Sequence, residues 1–480
     1  MNRLLLIYLF TIGVISNVCS QKIRTYLVPE QMVPNSDYSV KVCTAGGRWI
    51  DLFEYSVDVD MHYMRKASMV AFDFEGEKVE VLVICNREPV KTVRIRPANE
   101  NIPCTYSNDS VRFEITRPGN LSVEVNGDIF HNLHIFANSL ESDIPSIKDK
   151  NLIYIGPGYH TYPKGELRIS SGKTVYIAGG AVVNAKLVCD SVQNVRICGR
   201  GILYHGERGV EITKSKNVTL EGLIFINPSH YTVYGGQSSG LVIRDIRSFS
   251  SKGWADGIDL MSCFNVKVDG VFLRTSDDCI ALYCHRWGYY GDCRNVSVTN
   301  SVLWADVAHP IMMGTHGNPE PGKAEMLEDI TFSNIDILNH DEPQINYQGC
   351  IAINVSDQNL ARNIRFENIR VDDFEQGQLV NLRVTFNKKY ALAPGRGIEN
   401  IYFKNIQYNG SNSNLSIIEG FDSLRAVRNV TFENLVINGK EISPNLKKPA
   451  YMEYTDFARI YKGNYVDGLR FISNDDISKR

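Results

Sequence analysis

One short phrase recurs between residues 193 and 438, and it limits the folds that the chain can adopt. The phrase places Asn or a similar small residue near its start and then alternates apolar and polar positions. Nine copies begin at positions 193, 216, 239, 264, 294, 328, 362, 399 and 428. The first steps are 23, 23 and 25 residues, and later steps lengthen to roughly 30 to 37 residues. Lengthening of this kind indicates insertions in loops on one side of a repetitive fold.

Each copy has the pattern of two short strands joined at Asn or Gly, with β-branched residues at the apolar positions. A unit this small cannot bury its apolar face alone, whereas stacked copies form a continuous core. Asn suits a tight bend because it tolerates the left-handed region and can bond to its neighbours in the stack. The period of about 23 residues, with three strand-like runs per turn, predicts an all-β fold: a right-handed parallel β-helix. The copies lack the pattern of leucine-rich repeats, and propeller blades would be longer.

The segments before the repeat have a different pattern. Runs such as V-E-V-L-V-I-C and S-V-R-F-E-I-T alternate with turn signals at about ten-residue spacing, which is typical of an antiparallel β-sandwich. We therefore predict a small sandwich domain over 21–145 and the β-helix domain over 146–480. We expect the sandwich to cap the open end of the helix, because a solenoid must protect its terminal strand edges.

The first twenty residues predict an export signal. They combine the basic Arg3, an apolar run from Leu4 to Ile15, and Val18 and Ser20 at the positions that a signal peptidase reads. The apolar run is short for a membrane span. We predict a cleaved signal peptide over 1–20, a secreted or periplasmic protein, and no membrane association after cleavage.

Charge and cysteine usage exclude several classes of partner. The net charge is -3 at pH 7, and no run of five basic residues occurs, so nothing indicates binding to nucleic acid or to an anionic membrane. The cysteines are scattered, and no Cys-x-x-Cys or His/Cys cluster indicates zinc. Cys284 and Cys293 flank a short loop, and a disulfide between them would close its base. The oligomeric state is not predicted.

Three aspartates are candidates for catalysis. Asp256 stands in W-A-D-G-I-D-L, and Asp277 and Asp278 stand in S-D-D-C-I-A-L. The twenty-one residues from Asp256 to Asp277 are close to one predicted coil, so the three carboxylates should share one patch. Crowded carboxylates raise at least one pKa, which keeps an acid protonated beside an ionised neighbour. Glycosidic hydrolysis with inversion uses such a pair, with a base about 6.5 to 9.5 Å from the acid to activate water. Capping of bends or binding of calcium is the alternative role for acids in turns.

The surroundings of the acids favour a carbohydrate cleft. Aromatic rings stack on the apolar faces of sugars, and several rings lie near the acids in the predicted coils or in the loop after Cys284. We predict that six residues bind the substrate: Trp254, Trp287, Tyr289, Tyr290, His309 and His316.

These motifs resemble two known families. D-G-I-D and D-D-C-I-A-L resemble the polygalacturonases of glycoside hydrolase family 28. The wider phrase with V-F-L-R-T-S-D-D, S-V-L-W and H-P-I-M-M-G is similar to the dextranases of family 49, which also place a β-sandwich before the β-helix. The resemblance implies that Asp277 is the general acid and that Asp256 and Asp278 hold and deprotonate the water.

The chain also departs from both families. Trp254 and Ala255 stand where family 28 has Asn-Thr, and no Arg-Ile-Lys follows, so the resemblance does not imply an acidic pectin substrate. The family 49 motif Gln-x-Gly-Trp is replaced by the run from Met312 to Thr315, so dextran is not implied either.

The sequence thus predicts an exported, inverting glycoside hydrolase that needs no cofactor or metal, because carboxylates alone can activate water. A polysaccharide lyase on a uronate-containing glycan is a second possibility; it would use Lys or Arg as the base, and the acid patch has no obvious basic partner. A glycan-binding β-helix without activity is a third, although a binding surface has little reason to crowd three carboxylates. Endo or exo action depends on the loops around the groove.

Overall fold

The computed structural model describes residues 22–76 and 78–473, so the predicted signal peptide lies outside the described residues. Regular structure within these ranges is almost entirely β. The exceptions are a 3-10 turn, Ala98–Glu100, and one short α-helix, Tyr454–Ala458. None of the helices described is both long and apolar enough to span a bilayer.

Two sheets form the N-terminal sandwich, and their inner faces enclose a core of apolar side chains such as Phe72 and Val81. The strand pairs are antiparallel, except that Arg65–Glu75 and Leu133–Ser139 run parallel. The strands of the first sheet are Lys22–Arg24, Tyr55–Val59, Arg65–Glu75, Val93–Arg96, Gly119–Val125 and Leu133–Ser139. The strands of the second are Tyr38–Thr44, Ile50–Asp51, Val79–Cys85, Cys104–Tyr106 and Ser110–Ile115.

From Leu152 onward the chain winds into the predicted right-handed parallel β-helix, a sheet of 29 strands in which strands of successive coils pair in parallel. The first column contains Leu152–Ile155, Thr174–Ile177, Gln193–Gly199, Lys216–Glu221, Ser239–Arg244, Phe264–Asp269, Cys293–Ala305, Met326–Asn339, Leu360–Asp372, Gly397–Asn409, Val427–Ile437, Val466–Asp467 and Arg470–Ile472. The second contains Gly158–Arg168, Ala181–Asp190, Ile202–Tyr204, Ile224–Ile226, Arg247–Phe249 and Phe272–Thr275, and then the second halves of the long strands.

The third column is the one closest to the acids. It contains Val210–Thr213, Val233–Gly236, Ile258–Met261, Ile280–Tyr283, Ile311–Gly314, Ile351–Val355, Val380–Val384, Ser416–Glu419 and Ile460–Lys462. Smaller pairs are His285–Arg286 with Tyr289–Tyr290 and Gly377–Gln378 with Ser413–Asn414, and Lys440–Ile442 folds back antiparallel on Val427–Ile437.

The bends within the repeat have the predicted left-handed backbone. In all nine copies the second residue has a positive φ, between 53° and 67°: Asn194, Asn217, Gly240, Asn265, Asn295, Asp329, Asn363, Asn400 and Asn429. The Asn side chains also bond from coil to coil, as Asn400 Nδ2 donates to Asn363 Oδ1 at 3.1 Å and Asn429 Nδ2 to Asn400 Oδ1 at 3.1 Å. The repeat therefore fixes both the bend and the stacking of one coil on the next.

The sandwich does not cap the end of the helix, as we had expected, but packs along its side. Val57 and Phe136 of the sandwich share one buried cluster with Ile224 and Phe272 of the second column. The strands of that column carry apolar residues on their outer face as well as their inner face, and the sandwich removes this outer face from water. At the same contact, Arg274 forms a fully buried ion pair with Asp306 at 2.9 Å.

Cys284 and Cys293 do not form the disulfide that their positions on either side of the loop would allow. All ten cysteines from Cys43 to Cys350 are free thiols, and Cys284 and Cys293 are both buried in the core of the β-helix. Both side chains serve instead as core residues and pack with the stacked Val, Ile and Leu side chains.

Candidate active site

The three acids meet at the bends that lead into the third strand column. Gly257 N donates to the Asp278 carbonyl at 2.9 Å, which holds the bend containing Asp256 directly against the bend of the next coil. One carboxylate oxygen from each of Asp256, Asp277 and Asp278 lies within 4.8 Å of the others. The spacing in the sequence therefore predicted correctly that these distant residues meet.

Asp277 has the properties of a proton donor. Burial, and then the neighbouring Asp278 carboxylate, raise the pKa of Asp277 to about 6. Two backbone N–H groups limit the rise: Trp254 donates to Oδ2 at 3.0 Å and Asp278 donates to Oδ1 at 3.1 Å. A carboxyl group with this pKa is largely protonated in mildly acidic solution and can still give up its proton.

Asp256 is accompanied by a fourth carboxylate, Asp259, from the same motif. Burial, and then the charge of Asp259, raise the pKa of Asp256 well above its ordinary value. Asp259 is fully buried, and burial likewise raises its pKa well above the ordinary value. The guanidinium of Arg286 opposes both shifts, and its Nη1 lies 4.0 Å from Asp259 Oδ2. Asp256 and Asp259 thus share the charge of Arg286.

Asp278 is fixed by hydrogen bonds from two sides. His309 Nδ1 lies 2.6 Å from Asp278 Oδ1, and Tyr283 donates its hydroxyl to Oδ2 at 3.3 Å. The other ring nitrogen of His309 donates to the Tyr347 carbonyl. Burial opposes a charge on His309, but the Asp278 carboxylate outweighs it and raises the pKa of His309 to about 9. Because the Asp278 side chain and the Tyr347 carbonyl both accept hydrogen bonds from the ring, both ring nitrogens carry a hydrogen and the ring is an imidazolium.

His309 thus occupies a different place from the one we predicted. Its side chain is fully buried beneath Asp278, and it does not line the cavity above the acids. We predicted it as a substrate-binding residue, but both of its ring nitrogens form hydrogen bonds within the protein, to Asp278 and to the Tyr347 carbonyl. Its contacts fit a residue that orients and charges Asp278.

The acids form the floor of a cavity of about 230 Å³. Of the predicted substrate-binding residues, Trp254 and His316 line it. Burial, and then Arg286, lower the pKa of His316 to about 3, so its ring is neutral at pH 7. Arg286, Tyr347 and Glu342 also line the cavity, and so do residues 61–62 of the sandwich, Met61 and His62.

The aromatic residues of the predicted loop lie beside the cavity. Trp287, Tyr289 and Tyr290 do not line it, whereas Arg286 of the same hairpin does. The Tyr289 ring packs on Tyr234 with 5.9 Å between ring centroids, so the hairpin lies over the coil that precedes the acids.

Sequence reasoning missed several of these residues for different reasons. Asp259 stands three residues after Asp256, and its position in a repeat strand was a usable signal. Arg286 was visible in the insertion but had no partner that the sequence could name. Met61 and His62 had no signal, because only the packing of the sandwich along the side of the helix brings them to the cavity.

The same three acids could hold a cation, and they are the one cluster in the described ranges whose ligand oxygens lie close enough together for it. Acidic clusters are common without a metal, and the charge of His309 and Arg286 already balances part of the negative charge. Hydrolysis by carboxylates needs no metal.

We expect Asp256→Asn to stabilise the protein at neutral pH. The folded-state pKa of Asp256 is raised, so its ionised form destabilises the fold as the pH rises above the ordinary carboxyl value. The neutral amide removes this cost, and a gain of roughly 1 kcal/mol shifts the melting temperature by about 2–4 °C or less in a chain of this size.

Thermal unfolding at pH 7.5 and at pH 4 measures this effect. The gain should shrink at pH 4, where the wild-type carboxyl is protonated. Asp109→Asn, at an exposed acid, is the control and should change neither value. A melting temperature for Asp256→Asn that is equal to or below that of the wild type at pH 7.5 would contradict the interpretation.

Solved structures of known proteins are similar to this chain. The structure of Dex49A from Penicillium minioluteum is similar at 14% identity with a TM-score of 0.64, over 93% of this chain and 96% of that one. A family 28 exopolygalacturonase from Yersinia enterocolitica is similar at 11% identity with a TM-score of 0.45, over 81% and 96%.

The likeness to Dex49A, at 14% identity, shows the fold alone. A search of the curated proteins found no match. The model of the family described as glycosyl hydrolases family 28 matches residues 177–452, which is more than half of the chain and includes all three acids. The chain therefore belongs to glycosyl hydrolases family 28.

Proposed function

We propose that this glycoside hydrolase cleaves a polysaccharide or oligosaccharide with inversion, using Asp277 as the general acid and Asp256 with Asp278 as the pair that binds and deprotonates water. The proposal rests on the different surroundings of two adjacent residues, Asp277 and Asp278. Asp277 has its pKa raised to about 6, whereas Asp278 is held against the imidazolium of His309 at 2.6 Å. Two carboxyls whose surroundings separate their protonation states are the usual acid and base of such a site.

The reaction then follows from the position of the protons. Asp277 gives its proton to the glycosidic oxygen as the bond from that oxygen to the anomeric carbon breaks. A water held by Asp256 and Asp278 attacks the anomeric carbon and gives up a proton to one of them. Both acids return to their starting states after one proton exchange with solvent, so no other reactant is consumed.

The spacing of the acids is shorter than we predicted. One oxygen of each carboxylate lies within 4.8 Å of the others, whereas the carboxyls of inverting pairs are usually about 6.5–9.5 Å apart. Two carboxylates that share one water replace the single distant base of the usual arrangement. Inversion is supported by this pairing of Asp256 with Asp278 and by the family resemblance. The anomeric configuration of the first product tests it separately.

The cavity disfavours the lyase alternative. Arg286 is the one Lys or Arg among the residues that line the cavity, so it is the candidate base for a lyase. Burial disfavours its charge, but the neighbouring tyrosines and Asp259 raise the pKa of Arg286 above its ordinary value. A guanidinium held in its charged form cannot abstract a proton.

We expect Asp277→Asn to abolish hydrolysis. The amide keeps the shape, and its single oxygen can accept one of the two backbone hydrogen bonds that the carboxylate accepts, but it cannot donate an acidic proton. Loss of general acid catalysis should lower kcat by about 10²- to 10⁴-fold. The assay measures reducing ends released from a panel that includes polygalacturonate and dextran, with Asp109→Asn as a matched control that should keep full activity.

The pH dependence of wild-type activity gives a second test of Asp277 as the general acid. Because Asp277 must be protonated, kcat/KM should fall as the pH rises through about 6. Unchanged turnover by Asp277→Asn on a glycan that the wild type cleaves would rule out its role as the acid.

We infer in addition that the protein is exported, from the basic, apolar and small residues of positions 1–20. Expression in a bacterial host followed by fractionation and N-terminal sequencing tests this. We expect a mature chain that begins near Gln21 outside the cytoplasm. An intact N-terminus that begins at Met1, found in the cytoplasm, would contradict it.

A further inference from the structure

We propose that this hydrolase attacks the end of a glycan chain and not its interior, because the three acids lie in a pocket closed in both directions along the helix axis. The inference rests on the proposed catalytic function of these acids. An enzyme that cuts within a chain needs a groove that continues on both sides of the acids, and here separate segments of the chain stand in the way on each side.

The first wall is the hairpin formed by His285–Arg286 and Tyr289–Tyr290. It turns back over the coil that precedes Asp256, where Gln237 Nε2 donates to the Tyr290 carbonyl at 2.9 Å. The Tyr289 ring rests on Gly236, where an added Cβ would lie 2.8 Å from the ring. The hairpin can approach the third column this closely only because residue 236 has no side chain.

The second wall stands over the coils that follow the acids. The rings of Tyr347 and Tyr390 stack with 5.2 Å between centroids. Lys389 Nζ donates to Gln344 Oε1 at 3.1 Å, which joins the two segments that carry these rings. Tyr347 lies against the ring of His309 at 4.7 Å, so the stack stands directly beside the acids.

The stack divides two cavities on the same face of the helix. Tyr347 lines the cavity above the acids and also a second one of about 510 Å³, which includes Arg383 and Phe386. The cavity above the acids measures about 230 Å³, below the range of about 300–1,000 Å³ that is usual for ligand sites. Its size suits one terminal sugar better than a chain that passes through.

The remaining sides indicate where the rest of the glycan leaves. Met61 and His62 of the sandwich close a lateral side of the cavity. Trp254 stands at the rim with 62% of its surface exposed, and its backbone is held at φ 61° while its N–H binds Asp277. The left-handed backbone conformation costs free energy for a residue other than glycine, and it persists only where the surrounding structure holds it. The exposed ring next to the acid can stack on the sugar just outside the pocket.

A time course of product sizes tests the proposal. The purified protein is incubated with polygalacturonate, dextran and further polysaccharides, and the products are separated by length while viscosity is followed. We expect one short product from the earliest time point, with reducing ends rising while the viscosity hardly falls. Intermediate lengths and an early loss of viscosity would overturn the proposal and leave the hydrolase function intact. Failure of the folded protein to cleave any glycan would overturn both.

Removal of a wall gives a second test. Tyr390→Ala deletes the outer ring of the stack, which lines the cavity above the acids, and so removes part of this wall; intermediate lengths should then appear among the products. Tyr451→Ala, at a tyrosine that is 86% exposed and distant in sequence from the pocket, is the matched control and should give the wild-type pattern. A Tyr390→Ala variant that still yields only the single short product would show that the stack is not the barrier.

Discussion

The parallel hydrogen-bond register between successive coils is the constraint on which the rest of this structure depends. Each coil repeats the one before it because a residue with left-handed backbone stands at the same place in all nine copies. Asn suits that position for two reasons: it tolerates the left-handed backbone of the bend, and its side chain forms a hydrogen bond with the Asn of the neighbouring coil. Residues one coil apart in the sequence are thereby brought into contact, and Asp256 meets Asp278 for this reason.

The register also concentrates charge at one point of the helix. Asp256, Asp277 and Asp278 line a small cavity and Asp259 is buried next to them, with Arg286 and the imidazolium of His309 as the nearby cations. Burial of so much like charge lowers stability and raises the pKa values of Asp256, Asp259 and Asp277. An arrangement that costs stability and separates the protonation states of neighbours is typical of acid–base sites.

The fold and the meeting of the acids were predictable because both follow from a regular period. The β-helix, the left-handed Asn bends and the contact of Asp256 with the pair one coil later all depend on spacing alone.

The sequence could not reveal which residues surround the acids. Met61 and Tyr347 come from a separate domain and from a long insertion, whose positions depend on packing with no period. His309 was found by its place in the motif, but only the structure showed it beneath Asp278 and away from the cavity. The expectation that the sandwich caps the end of the helix was wrong for the same reason, since the position of the sandwich depends on packing.

In the proposed mechanism, a water held by two carboxylates attacks the anomeric carbon from the side opposite the bond that breaks when Asp277 protonates the glycosidic oxygen. Proton NMR of the first product formed from a cleaved oligosaccharide tests it most directly, because the coupling constant of the anomeric proton identifies the anomer before mutarotation. We predict that the first product has the anomeric configuration opposite to that of the cleaved bond. A first product with the same anomeric configuration as the cleaved bond would mean that one of the three carboxylates attacks the sugar itself. This result would rule out inversion.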